Sequence, residues 1–150
     1  MHQKLTHKRC KPVIAAFLSI TGLIASSSIL AEELAPDLLG AWSGLHSGGA
    51  YFGSPGHSPD KAEPTVLKPG MEFTLDITKQ EGRSLIGTWS SANKSEKIVG
   101  AIRVDNKTIV LADEDTQFSG VLLDTGRMEL CATEAGEVSS LASCLILERR

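Results

Sequence analysis

Residues 71–78 read Met-Glu-Phe-Thr-Leu-Asp-Ile-Thr, and this stretch decides the fold class. Met71, Phe73, Leu75 and Ile77 alternate with Glu72, Thr74, Asp76 and Thr78. A period of two over eight residues is a half-buried strand; a helix would repeat near 3.6. Outward from it the pattern recurs. Gln80-Glu81-Gly82-Arg83 is a turn, and residues 84–91 (SLIGTWSS) form the next strand. Residues 96–104, 108–112, 117–123, 127–132 and 141–148 continue the series, with Asp, Asn and Gly marking the turns. A further apolar strand, residues 38–45 (LLGAWSGL), precedes a Gly-, Ser- and Pro-rich segment, 46–70, that has no apolar period and reads as a long loop. Eight strands joined mostly by short turns must pair antiparallel with their sequence neighbours. The expectation is an all-β, eight-stranded, antiparallel up-and-down barrel, because closure removes both exposed edges.

Four strands share a glycine near the middle with a large apolar residue two places on: Gly40/Trp42, Gly87/Trp89, Gly100/Ile102 and Gly120/Leu122. Glycine weakens a strand, so its recurrence suggests the tight curvature of a small barrel. The inward parity of the strands runs from Met71 and Phe73 through Val104 and Leu122 to Leu145 and Leu147.

The chain begins differently. Lys4, Lys8, Arg9 and Lys11 precede an apolar, small-residue run ending at Ala31, the pattern of a secretory signal peptide. Residues 1–31 are therefore expected to be removed, 32–37 to form a flexible leader and 38–150 to form one domain. The chain of 150 residues carries a net charge of −3. Four basic and no acidic residues leave with the signal, so the remaining 119 residues carry −7. That charge argues against a nucleic-acid partner, and no stable membrane insertion is expected after cleavage. The destination is periplasmic or secreted.

Cys131 and Cys144 remain, and a cysteine pair in an exported chain is most simply a disulfide. If they face each other, Leu130 opposes Leu145 and Met128 opposes Leu147 on one face. Arg127 then opposes Glu148 as an opposite-charge pair on the other. A redox role is disfavoured by the absence of CxxC spacing.

Catalytic constellations are not evident, and neither a cofactor nor a metal site is expected. Ser54, His57 and Asp60 would share one flexible loop, which cannot preorganise a triad. His46 and His57 lack partners at metal-ligand spacing, even with Asp60 and Glu63 nearby, and read as solvated loop histidines. Asp113-Glu114-Asp115 lacks calcium-loop spacing and reads as a turn. Gly48-Gly49 opens no helix and cradles no phosphate.

Gly40-Ala41-Trp42 resembles the G-x-W element that opens the calycin barrels, the lipocalins and avidins. Residues 85–92 (LIGTWSSA), after the Glu81-Gly82 turn, resemble an avidin-type third strand, and the 46–70 segment is similar in place to a lipocalin lid. Small exported protease inhibitors with a similar barrel are a second likeness. The resemblance implies a barrel whose interior or mouth binds. Biotin recognition does not carry over, since the avidin aromatic box needs several tryptophans and this chain has only Trp42 and Trp89. The expected function is non-enzymatic binding of a small apolar molecule beneath the 46–70 loop. The candidate contacts are Trp42, Tyr51 and Phe52 at the mouth and Phe73, Trp89 and Phe118 within. The alternative is a protein-interaction module, such as an inhibitor of an exported enzyme, with a filled interior.

Overall fold

The computed structural model describes residues 34–150. The expected signal peptide lies outside the described residues. Nine strands follow in chain order: β1 (Gly40–Gly53), β2 (Lys61–Val66), β3 (Glu72–Glu81), β4 (Ser84–Ser90), β5 (Ser95–Ile102), β6 (Thr108–Ala112), β7 (Gln117–Leu122), β8 (Arg127–Ala135) and β9 (Ser140–Arg149). Helices are absent among the described residues, so none there is long and apolar enough to cross a membrane. All strands except β2 form an antiparallel meander, and pairing of β1 with β9 closes it into an eight-stranded barrel. β2 lies outside the closed ring, against the second half of β1.

Alternation builds the core as expected. Leu75, Ile77, Leu85, Ile98, Ile109, Met128, Leu130, Leu145 and Leu147 are almost wholly buried, and they meet inside the cylinder. The inward glycines are spacers for these side chains. Gly87 lies between Ile77 and Ile98 in register, and Gly100 between Leu85 and Leu111. A Cβ on Gly87 would lie 2.1 Å from the Asp76 carbonyl oxygen, and one on Gly100 would lie 2.2 Å from Leu111 Cδ2. Gly40 does not belong to this set. It starts β1 at φ +105° with open space around it, and Gly44 is the crowded glycine of that strand.

The last hairpin has the expected register. Cys131 opposes Cys144 and forms the disulfide, Leu130 opposes Leu145, and Met128 opposes Leu147. Arg127 does oppose Glu148, yet its guanidinium turns to Asp124 at 2.8 Å within its own β-turn. The expected cross-strand ion pair is not made, because the turn carboxylate is the nearer partner.

Three boundaries correct the sequence reading. Residues 46–70 are not one loop: β1 continues to Gly53, and β2 occupies 61–66. The composition hid this strand, because its stability comes from backbone pairing on both sides, to β9 and to β2, and not from an apolar face. Gly49 is needed there, since a Cβ would lie 2.5 Å from the Ala142 carbonyl oxygen. Val104 is 87% exposed, because β5 ends at Ile102 and 103–107 is a turn. Residues 36 and 37, placed in the leader, are tied down: the Pro36 carbonyl accepts from Gln80 Nε2, and the Asp37 carbonyl from Arg149.

Candidate functional site

The two ends of the barrel differ. The 82–83, 103–107 and 123–126 turns surround one end, and residues 35–39 fill it. Leu38 is buried there, its N–H donating to Gln80 Oε1 at 2.9 Å and its carbonyl accepting from Trp42 Nε1 at 3.0 Å. The Arg149 guanidinium lies 5.3 Å from the Trp42 ring centroid and donates to the Leu39 carbonyl. This end is sealed.

At the other end, the 91–94, 113–116 and 136–139 connections form a rim, and the chain between Gly53 and Met71 crosses the opening. Pro55 is fully buried. His57 follows, its Nδ1 2.8 Å from Ser91 Oγ and its Nε2 2.8 Å from Glu96 Oε2. The covering segment is thus held to the β4–β5 connection and to the start of β5 by the two nitrogens of one imidazole. Gly56 lies close to Lys94, and its backbone N–H is bonded to Glu134.

Beneath the cover is a partly enclosed pocket of about 40 Å³. Its apolar wall includes Met71, Phe73, Trp89, Leu141 and Leu145, and its polar wall includes His46, Ser143, Thr116 and Glu134. An aromatic row forms one side. The His57 ring meets Phe73 edge-on at 5.5 Å, Phe73 stacks on Trp89 at 4.9 Å, and Trp89 meets Phe118 edge-on at 5.3 Å. These offsets suit aromatic quadrupoles and fix the wall's shape.

His46 sits on β1 opposite Leu145 of β9, and its N–H donates to the Met71 carbonyl at 2.9 Å. The residue is 4% exposed, and neither Nδ1 nor Nε2 has a hydrogen-bond partner. The β1–β9 register slips between His46 and Gly48. A bulge here allows β1 to change parity after His46 has pointed inward.

The rim is rich in carboxylates. Glu96, Asp113 and Asp115 bring oxygens within 4.8 Å of one another. Lys94 supplies positive charge among them, its Nζ 2.5 Å from Glu96 Oε1. That hydrogen bond raises the Lys94 pKa, and the fields of Asp115 and Asp113 add to it. Glu134 is pushed above the ordinary carboxylate range, first by burial and then by Asp115, although Thr116 Oγ1 donates to it.

Of the six residues expected to contact a ligand, Phe73 and Trp89 line this pocket, and Phe118 supports Trp89 from behind. Trp42 is wholly buried at the sealed end. Tyr51 and Phe52 lie on the upper part of β1 and border a shallow outer groove with Pro64 and Leu141. His46 and His57, read as solvated, are both held in the structure. The signal for His46 was available: the inward parity of Trp42 and Gly44, carried two residues on, reaches it. His57, Glu96 and Glu134 had no such signal, because they meet only through tertiary closure.

The fold is that of a closed antiparallel meander barrel. No protein-family model, curated protein or solved structure matches the chain.

Proposed function

We propose that this chain is a non-enzymatic, exported, calycin-like barrel that binds a small, largely apolar molecule at its covered end. The reading rests on the pocket beneath the 53–71 crossing, where Phe73, Trp89, Leu141 and Leu145 meet an unpaired buried imidazole. Pockets of this kind combine an apolar lining with a few convergent polar groups. Its small volume confines the ligand to one end, since the rest of the interior is packed by side chains. The Cys131–Cys144 disulfide fits an oxidising compartment, periplasmic or extracellular.

Intrinsic fluorescence tests this. In Trp42→Phe, Trp89 is the sole indole. Titration with toluene should change its emission saturably, and Trp89→Phe should be silent. If toluene and other apolar probes leave Trp89 unmoved, the ligand reading is lost.

A second reading has its own observation. The packed interior is paired with an outer face bearing exposed Ile86, Val99 and Val110, with Ile86 directly opposite Val99. Such a face suits a protein partner better than a small molecule. Failure of every probe would leave this interaction module as the remaining reading.

A further inference from the structure

We infer that the ligand's head is neutral, both donates and accepts a hydrogen bond, and is read by His46. This deepens the proposed binding function and rests on it. His46 borders the pocket, is 4% exposed and leaves both ring nitrogens unpaired. Buried polar groups are almost always satisfied, so an imidazole held in this state points to a partner that enters the cavity. A neutral imidazole offers one N–H donor and one bare nitrogen acceptor. Its complement is a group with both functions, such as a carboxamide or an alcohol.

The position is preorganised. His46 lies within a strand paired on both sides, its N–H on Met71 and its Cα opposite Leu145. The pocket wall near it is apolar, from Met71, Phe73 and Leu145, with the Ser143 hydroxyl as a further polar group. An apolar body therefore follows the polar head.

Charge selects among heads. Glu96, Asp113, Asp115 and Glu134 stand at the rim, against Lys94 and Lys68. This mouth repels a carboxylate and admits a neutral group. The pocket accommodates a head of a few atoms, and its partial opening leaves the apolar body to extend outward.

Three probes that share one aromatic ring separate the terms: benzamide, toluene and benzoate, all titrated at the same pH. Benzamide should perturb the His46 ring ¹⁵N resonances and bind at least about tenfold more tightly than toluene or benzoate. His46→Phe should weaken benzamide at least about tenfold and leave toluene within about threefold, while His46→Gln, which keeps a donor and an acceptor, should restore benzamide. Toluene binding as tightly as benzamide, or benzoate binding more tightly, would overturn the role of His46 and leave the pocket standing. Binding by none of the three would overturn both. The wild-type probe series decides the point even if a variant fails to fold.

Discussion

At the sealed end of the barrel, the polar groups find partners. Gln80 accepts from Leu38 and donates to Pro36, Trp42 donates to Leu38, and Arg149 caps the Leu39 carbonyl. Carboxylates there sit in turns and accept backbone N–H groups: Asp105 from Lys107 and Thr108, Asp124 from Gly126. At the covered end, Asp113 likewise accepts the Asp115 and Thr116 N–H groups, but Glu96, Asp113 and Asp115 also crowd one another across the rim, and the His46 imidazole has no partner. Both ends close the same cylinder, so closure alone does not demand the second arrangement. Where one end of a fold satisfies its polar groups and the other leaves a buried imidazole unpaired, the second is the candidate for recognition.

The largest expected effect would break this comparison most directly. Trp42→Ala removes a wholly buried indole and its hydrogen bond, and should cost about 3–5 kcal/mol in urea unfolding. His46→Phe, at an inward position of the same strand, should cost far less, because it also removes an unsatisfied buried polar group. Equal losses would mean that His46 is a structural residue like Trp42, and the asymmetry of the ends would disappear.

The disulfide sharpens the comparison next. Cys131 and Cys144 are 13 residues apart, a loop whose cross-link contributes about 3 kcal/mol in the chain-entropy model. Cys144 also pairs with Gly48, so the bridge anchors the part of β1 that carries the cover. In Cys131→Ser/Cys144→Ser, hydrogen exchange should accelerate first at residues 48–53 and 61–66. Protection at Leu38 and Trp42 should fall only with global unfolding. Loss of protection at both ends together would show that the cover and the barrel are one cooperative unit.

How much of this was legible in the sequence follows from what each element depends on. β3 through β9 are written in local alternation and turn residues, so the meander and the register of the cysteine hairpin could be read directly. The upper half of β1 and β2 could not. The upper half of β1 takes its strand character from backbone pairing with β9, far along the chain, β2 takes its own from pairing with β1, and Ser-Gly-Gly carries no period. Misreading that segment as a loop also misplaced the site. It moved His46 from the barrel wall to solvent, and it put Trp42 at a mouth that lies at the other end. Phe73 and Trp89 could be placed on the inner face because they share the strand alternation that built the core. Glu96 and Glu134 lie on β5 and β8 and meet the site only when the sheet closes.

The smallest expected effect concerns pH, and the two ends should respond with opposite sign. Asp105, lowered to about 2 mainly by the Thr108 hydroxyl and N–H, is depressed relative to its ordinary 3.8. Its stabilising contribution is present above the unfolded value and is lost as pH falls from about 3.8 toward about 2. Glu134 is raised above 4.5, first by burial. The native state therefore holds that proton more tightly than the unfolded chain. Its contribution is present below 4.5 and is lost as pH rises through the folded value. Glu134→Gln should remove this decline, so that the variant gains stability relative to the parent on the neutral side of the window. Partial exposure keeps the gain below about 1 kcal/mol. Glutamine can still accept from the Gly56 N–H and Thr116, so the packing of the cover is retained. Asp105→Asn should instead lower stability above about pH 4, where the carboxylate contributes, and flatten the acid limb below it. Urea midpoints measured from pH 2.5 to 8 separate the two. If Glu134→Gln lowers stability near neutrality, favourable hydrogen bonds hold the Glu134 carboxylate there, and the two ends do not respond with opposite sign.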